Sequence, residues 1–262
     1  MSEKTAAAPV PAATILIARD GANGLEVFMV KRHHQIDFVA GALVFPGGKA
    51  TKSDFDAELE EHAAGISAWS GEMRGLLAAA IREAFEESGI LFARSRDSEN
   101  LIDAAQLHAL QHWRGMLEKG EATLLQMLRA ENLVLACDEL VHFAHWVTPK
   151  LMPKRFDTHF FLARAPKGHA GLHDGRESVD SIWIRPQDAI ADRKKWNVIF
   201  PTKLNLMKLA GSAAVAEALA AARANPPLTV EPWVEEGPDG KVLRIRGDAG
   251  YEQTSALLRD DM

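Results

Sequence analysis

The chain has 262 residues, of which 47% are hydrophobic and 25% are charged, and its formal net charge is −6. This length and composition fit one large domain or a domain with substantial additions, and they argue against global disorder. Because nonspecific nucleic-acid binding needs a basic surface, the acidic balance argues against a nucleic-acid partner, but a local basic pocket for a phosphorylated small molecule is compatible with it.

The N-terminal part of the sequence predicts a short arm followed by strands. Residues 1–11 are rich in small residues, and we expect a flexible arm there. ATILIAR (13–19) and LEVFMVKR (25–32) flank DGANG, a turn sequence, so the two segments are predicted to pair as a hairpin. ALVFPGG (42–48) is predicted to form a third strand that ends in a tight turn.

A long helix is the clearest element in the next part of the chain. Residues 54–69 are acidic and only weakly helical, whereas residues 71–88 have a strong helical pattern. Ser70 is the expected N-cap and Gly89 the expected C-terminal stop.

The rest of the sequence mixes helices and strands without a βαβ rhythm, which predicts an α+β fold. Two further helices are expected within residues 100–131. Strands are predicted at 140–147, 156–164 and 181–186, helices at 186–196, 202–210 and 213–224, and a late hairpin at 230–236 and 241–247.

The segment REAFEESGI (82–90) brings three glutamates together on the long helix. At about 100° per residue, Glu86 and Glu87 lie within about 60° of Glu83 on the helix, opposite the apolar face that carries Ile81 and Phe85. Like charges at these spacings destabilise a helix by a few tenths of a kcal/mol per pair unless something neutralises them. The helix alone is compatible with a solvated acidic face and with a site for a hard divalent cation.

A second segment, FPGGKATKSD (45–54), lies upstream of the helix. Gly47 and Gly48 allow the backbone to approach a ligand closely, although such a turn also ends many ordinary strands. The glycine turn followed by Asp54 and then by the glutamate-rich helix is a more specific indication of a functional site than either segment alone.

Together these segments resemble the signature of the Nudix hydrolases, G-x5-E-x7-R-E-U-x-E-E-x-G-U, where U is a bulky apolar residue. Gly48 matches the first glycine, and Asp54 stands where the first glutamate belongs. The second half of the signature is matched by Arg82, Glu83, Glu86, Glu87, Gly89 and Ile90. Residues 55–81 separate the two halves, so the chain carries an insertion of about 20 residues relative to the signature.

The resemblance implies a Nudix fold, which is an α/β/α sandwich with a mixed sheet between helices. We expect this domain to span residues 12–210, with a helical insertion at about 55–74 and an additional helical segment at about 100–131. Residues 211–262 would form a C-terminal extension of a helix and a hairpin.

The resemblance also implies an enzyme that hydrolyses a diphosphate bond. GALVFPGG is similar to a motif of the coenzyme A diphosphatase branch, and HWVTP and PKRFDTHFF resemble later segments of that branch. The expected reaction converts coenzyme A or acyl-coenzyme A to 3′,5′-adenosine bisphosphate and (acyl-)phosphopantetheine. The alternatives are hydrolysis of another nucleoside diphosphate derivative, such as an ADP-sugar, a dinucleotide or a dinucleoside polyphosphate, and a non-catalytic nucleotide-binding module.

Each residue of the signature takes an expected role from the resemblance. Glu83, Glu86 and Glu87, with the carbonyl of Gly47, would bind Mg²⁺ or Mn²⁺. Glu83 would act as the general base, Arg82 would orient the glutamates and Asp54 would support the loop. The residues expected to contact substrate are Arg32, Gly48, Lys150, Lys154, Arg155 and Glu177.

The remaining polar residues carry weaker signals. His145 and His159 lie on predicted strands, where we expect packed or edge histidines rather than ligands. The single cysteine, Cys137, excludes an intrachain disulfide framework and fits a reducing, cytoplasmic location. We expect no signal peptide and no membrane partner, and analogy with the family allows a homodimer.

Overall fold

The computed structural model describes residues 7–32, 41–175, 178–192 and 195–258. Within these ranges the chain forms fourteen strands and seven α-helices. The strands are β1 (Val10–Gly21), β2 (Gly24–Arg32), β3 (Leu43–Val44), β4 (Gly47–Lys49), β5 (Ala63–Ala64), β6 (Ala93–Ser95), β7 (Leu133–Ala136), β8 (Val141–Val147), β9 (Phe156–Arg164), β10 (Ser178–Ile184), β11 (Thr229–Val230), β12 (Trp233–Gly237), β13 (Gly240–Arg244) and β14 (Ser255–Leu257). The helices are α1 (Gly71–Ser88), α2 (Ala104–Ala109), α3 (Gln111–Glu118), α4 (Leu124–Ala130), α5 (Pro186–Ala191), α6 (Phe200–Ala210) and α7 (Val215–Ala224).

A mixed eight-stranded sheet separates two helical layers. The main path runs β10-β2-β1-β9-β8-β11, with β3 paired to β2 and β4 paired to β1. β1 runs parallel to β9, whereas β2 and β4 pair with β1 in the antiparallel direction. Helices α1 to α4 contribute to the core on one face, and α5 to α7 to the core on the other. The predicted α+β sandwich is therefore confirmed.

The N-terminal hairpin is confirmed, and the predicted arm is shorter than expected. β1 and β2 pair with Gly21 opposite Gly24, so the turn consists of Ala22 and Asn23. β1 already begins at Val10, because its first residues pair with β9. Residues 1–6 of the predicted arm lie outside the described residues.

The prediction of a single strand at residues 42–48 is wrong, because this segment forms two short strands. β3 pairs with β2, whereas β4 pairs with β1. Pro46 lies between them and cannot donate a backbone hydrogen bond, and its carbonyl accepts one from Ile15 N–H at 2.9 Å. Because the chain passes from pairing with β2 to pairing with β1 at Pro46, Gly47 and Gly48 lie beside β1.

The long helix has the predicted limits, from Gly71 to Ser88. Gly89 ends it in the left-handed conformation, with φ of 68°. Ser70 occupies the N-cap position, but its side chain makes no capping hydrogen bond. At the other end, the Arg114 side chain donates to the Glu86 carbonyl at 2.8 Å and so satisfies one of the last carbonyls of the helix.

The insertion is built mainly from 3-10 turns rather than from α-helix. Two of these turns, Ala57–His62 and Ile66–Ala68, lie within the insertion, and a third, Lys52–Phe55, leads into it. Leu59 and Ile66 are buried in the same core as α1, so the insertion packs on the α1 face of the domain. It also contributes β5, which joins β7 and β6 in a small second sheet.

Two other predicted regions differ from the structure in detail. Residues 100–131 contain three helices rather than two, because the first predicted helix breaks at Leu110 between α2 and α3. In the C-terminal extension, α7 packs in the core and β11 pairs with β8, while β12 to β14 form a third sheet. The extension is therefore packed against the domain through α7 and β11.

No single helix in the described ranges is long and apolar enough to cross a membrane. α6 and α7 reach the required length and composition only as a pair, and they are bent by 109°.

Replacing Gly89 by alanine is predicted to destabilise the fold by about 1–2 kcal/mol, because an L-residue is strained at φ of 68°. The added Cβ would also approach Arg114 Nη1 to 3.2 Å. Gly71→Ala is the matched control, since nothing lies within 4 Å of its Cβ position and alanine favours the helix. Urea unfolding followed by tryptophan fluorescence measures both variants. Equal stability of Gly89→Ala and the wild type would contradict the conclusion that the left-handed conformation of Gly89 ends α1.

Candidate active site

The two glycines of β4 lie directly against the glutamates of α1. Gly47 pairs with Thr14 and Gly48 with Ala13, which fixes β4 on the edge of β1. Gly47 N–H donates to Glu87 Oε2 at 2.9 Å. A Cβ on Gly48 would lie 2.7 Å from the carboxylate oxygens of Glu83. A side chain at position 48 would therefore displace the Glu83 carboxylate from this position.

Arg82 is the centre of a buried ionic network. It donates to both oxygens of Asp54, from Nε at 2.9 Å and from Nη2 at 3.0 Å. Nη2 also donates to the Lys49 carbonyl at 3.0 Å. Nη1 lies 2.8 Å from Glu83 Oε1 and donates to Glu86 Oε2 at 3.1 Å. One guanidinium thus joins the loop after β4 to two of the three glutamates.

The network leaves more negative charge than Arg82 can neutralise. Burial raises the pKa of Glu83 to about 7, and burial also raises the pKa of Glu86. Although burial alone would lower it, hydrogen bonds with Asp54 and the nearby carboxylates raise the pKa of Arg82. Glu86 Oε1 is buried without a hydrogen-bond partner among the described residues.

These features fit a divalent cation. An unpartnered carboxylate oxygen and raised carboxyl pKa values are expected where a cation is part of the functional site. Carboxylate oxygens are also the donors that Mg²⁺ and Mn²⁺ prefer. Glu83, Glu86 and Glu87 are the residues that could hold the ion, while the role of the Gly47 carbonyl stays a prediction.

The predicted substrate-binding residues are not all brought to this site. Gly48 belongs to it. Arg32 lies half-buried at the end of β2, where its N–H donates to the Ala42 carbonyl at 3.0 Å. Lys150 and Lys154 are exposed between β8 and β9. Glu177 lies outside the described residues.

Arg155 differs from its predicted role as a substrate contact. Its side chain is buried, and its nitrogens donate to the Thr148 carbonyl at 3.0 Å, the Ala7 carbonyl at 2.8 Å and Glu231 Oε1 at 2.7 Å. Because the guanidinium is already satisfied, Arg155 ties the start of β1 and the C-terminal extension to β9.

The sequence alone does not predict the histidine cluster that is formed by His142, His145 and His159. His145 Nε2 lies 2.5 Å from Asp157 Oδ1, and His159 Nδ1 lies 3.0 Å from His142 Nε2. Burial lowers the pKa of His142 to about 3 and that of His159 to about 4, and the neighbouring imidazoles add to both shifts. The alternation of Asp157 and His159 places both on one face of a strand, but the register of β8 against β9 is not visible in the sequence.

Comparison with known proteins places the chain in a family. A model described as the NUDT19 Nudix domain matches residues 67–205, which include the glutamates of α1 but begin after Gly48 and Asp54. The chain is 26% identical over 215 residues to the acyl-coenzyme A diphosphatase NUDT19 of Xenopus laevis, covering 67% of this chain and 57% of that protein. It is 28% identical over 214 residues to the protein of the same name from Gallus gallus, covering 63% and 55% respectively. The chain spans about half the length of these curated relatives.

A solved structure supports the same assignment. The NUDIX hydrolase from Alicyclobacillus acidocaldarius superposes with a TM-score of 0.69 at 28% sequence identity. The match covers 81% of this chain and 96% of that chain. Because the domain model covers more than half of the 262 residues and the fold agrees, this chain belongs to the NUDT19-type branch of the Nudix hydrolase family.

Proposed function

We propose that the protein is a metal-dependent diphosphatase that hydrolyses coenzyme A or acyl-coenzyme A to 3′,5′-adenosine bisphosphate and (acyl-)phosphopantetheine. The observation that carries the proposal is the buried network in which Arg82 holds Asp54, Glu83 and Glu86 beside the turn of Gly48. A solvated acidic helix face would not need the carboxylates to be buried against a glycine turn.

The choice of substrate rests on the relatives. The proteins from Xenopus laevis and Gallus gallus are both named acyl-coenzyme A diphosphatases. Their identities of 26% and 28% support the reaction class more strongly than any particular acyl chain.

The chemistry requires an activated water and a neutralised diphosphate. A bound Mg²⁺ or Mn²⁺ would supply charge neutralisation and a lower pKa for water. The oxygen of the attacking water forms a bond to one phosphorus, the bridging P–O bond of the diphosphate breaks, and the leaving phosphate takes the electron pair. Glu83 accepts the proton of the water as general base.

The other residues of the site position Glu83 and leave space in front of it. Arg82 holds the carboxylates by charge-assisted hydrogen bonds, and its bidentate pair with Asp54 fixes the guanidinium plane. The missing side chain at Gly48 keeps the space in front of Glu83 open. These contacts are in place before substrate binds, so they cost no reorganisation during the reaction.

Glu86→Gln and Glu87→Gln are each predicted to lower turnover of coenzyme A with Mg²⁺ or Mn²⁺ by at least about 100-fold, because each removes an anionic ligand while preserving its shape. Product chromatography measures the loss, and circular dichroism verifies the fold. Glu72→Gln is the matched control, since Glu72 is exposed in the first turn of the same helix. Unchanged turnover in both site variants would refute the metal-site assignment.

The same assay separates the substrate classes. The wild type is expected to cleave coenzyme A and acyl-coenzyme A faster than ADP-ribose, NADH or dinucleoside polyphosphates. Rapid cleavage of the latter group with coenzyme A left intact would favour the alternative Nudix hydrolase. Binding of a nucleotide without cleavage of any of them would indicate a non-catalytic module.

The stability of the metal-free protein is predicted to fall as the pH rises, because the folded state raises the pKa of Glu83 from 4.5 to about 7. A raised carboxyl pKa contributes stability that is complete below the unfolded value and is lost as the pH rises through about 7. We expect a decrease of up to about 3 kcal/mol in the free energy of unfolding between about pH 5 and pH 8. Urea denaturation at each pH measures it.

Saturating Mg²⁺ should reverse much of this decrease, because the ion binds the ionised carboxylates of the folded state. Glu83→Gln should flatten the metal-free profile. A profile that is equally steep in Glu83→Gln and in the wild type would show that another group causes the effect.

A further inference from the structure

A second set of metal-ligand atoms lies on β8 and β9. His145, Asp157 and His159 each offer one ligand atom, and the three atoms all lie within 4.8 Å of one another. Asp157 Oδ1 is 2.5 Å from His145 Nε2 and 3.8 Å from His159 Nε2. All three residues are partly buried, so their side chains converge in a protected position rather than on an open surface.

Strand register separates this set from the glutamates of α1. His145 is opposite His159, which is opposite Ala13, and Ala13 is opposite Gly48 on its other side. Neighbouring strands lie about 4.8 Å apart, so His159 is about 10 Å from Gly48 along this row. Ala13 belongs to the core beneath α1, and strand alternation puts the histidines on the same face.

Each histidine of the set uses its second ring nitrogen in a hydrogen bond. His159 Nδ1 is 3.0 Å from His142 Nε2, and His145 Nδ1 is 2.9 Å from Thr229 Oγ1. Such bonds fix the ring orientation and leave the remaining nitrogen directed at the ligand, as is usual for histidines that bind metals. In this cluster the remaining nitrogens are the two that face Asp157.

The imidazoles of the cluster are stacked closely on one another. The rings of His145 and His159 stack with centroids 3.8 Å apart, and those of His142 and His159 with centroids 5.0 Å apart. Trp69, near the end of the insertion, contacts His142 edge-on. A metal ion binds imidazole through a nitrogen without a proton, so His145 Nε2 would exchange its hydrogen bond with Asp157 Oδ1 for a bond to the ion.

We propose that His145 Nε2, His159 Nε2 and Asp157 Oδ1 bind a transition-metal dication of the Zn²⁺ class, as a site separate from the glutamates. Metal–ligand bonds of about 2.0–2.1 Å in a tetrahedral site require ligand atoms about 3.4 Å apart. The observed 2.5 and 3.8 Å bracket this separation, and the stacked rings of His145 and His159 would turn out of their near-parallel arrangement so that both Nε2 lone pairs meet at one ion. Three protein ligands leave one position open for water or an anion.

The two sites differ in the ions that they select. Imidazole ligands favour Zn²⁺, Co²⁺ or Ni²⁺, whereas the carboxylates of α1 favour Mg²⁺ or Mn²⁺. The histidine site would also connect β8 and β9, and through Thr229 it would reach β11 of the C-terminal extension.

Co²⁺ absorption tests the site without reference to activity. Four-coordinate Co²⁺ with imidazole ligands absorbs strongly in the visible range, whereas six-coordinate Co²⁺ among oxygen ligands absorbs weakly. We expect the chelator-treated full chain to develop the strong bands with one equivalent of Co²⁺ and to lose them on addition of one equivalent of Zn²⁺. Glu86→Gln should keep the bands, since it affects only the other site.

His145→Ala and His159→Gln should abolish the strong bands, and Asp157→Asn should weaken Co²⁺ binding by at least about 10-fold. His108→Ala is the matched control, because His108 is an exposed imidazole on α2 outside the cluster. Circular dichroism verifies folding, and Asp157→Asn keeps the shape of the site if a histidine variant does not fold. Absence of strong bands in the wild type, or their persistence in folded His145→Ala or His159→Gln, would overturn the proposal.

Discussion

The buried pair of Arg82 and Asp54 is the interaction on which the candidate active site depends. Removing both charges from water costs several kcal/mol per ion, and this cost is offset only when the geometry is good and the remaining donors are satisfied. Here the pair is bidentate, and Arg82 also reaches the Lys49 carbonyl and two glutamates. The pair therefore couples the glycine turn, the loop and α1 into one unit.

This coupling explains how the chain accommodates an interrupted signature. Asp54 and Arg82 are 28 positions apart, yet their side chains are in direct contact. The segment between them leaves the site, buries Leu59 and Ile66 in the core beneath α1, and returns into the first turns of α1. Trp69, near the end of the insertion, contacts His142 and Phe161 on the sheet. The insertion thus builds the α1 face of the domain rather than disturbing it.

Local patterns predicted the elements that depend on nearby residues. The limits of α1 follow from its apolar face and from Gly89, and β9 has the predicted limits. The prediction of one strand at 42–48 is wrong because β3 and β4 pair with different strands. These pairings, rather than local propensity, decide where each strand ends. Motif spacing alone predicted which glutamates belong to the candidate site. The hydrogen bonds of Arg82 with Asp54 and Lys49 could not be predicted in this way, because they depend on the fold. The histidine cluster and the structural role of Arg155 depend on long-range register and could not be read from spacing.

Crystals soaked in Mn²⁺ and measured by anomalous diffraction would test the central claim most directly. The account predicts an anomalous peak within about 2.0–2.3 Å of carboxylate oxygens from at least two of Glu83, Glu86 and Glu87, with the Arg82–Asp54 pair intact. Ordered Mn²⁺ found only away from these carboxylates, or no bound ion at saturating Mn²⁺, would contradict it.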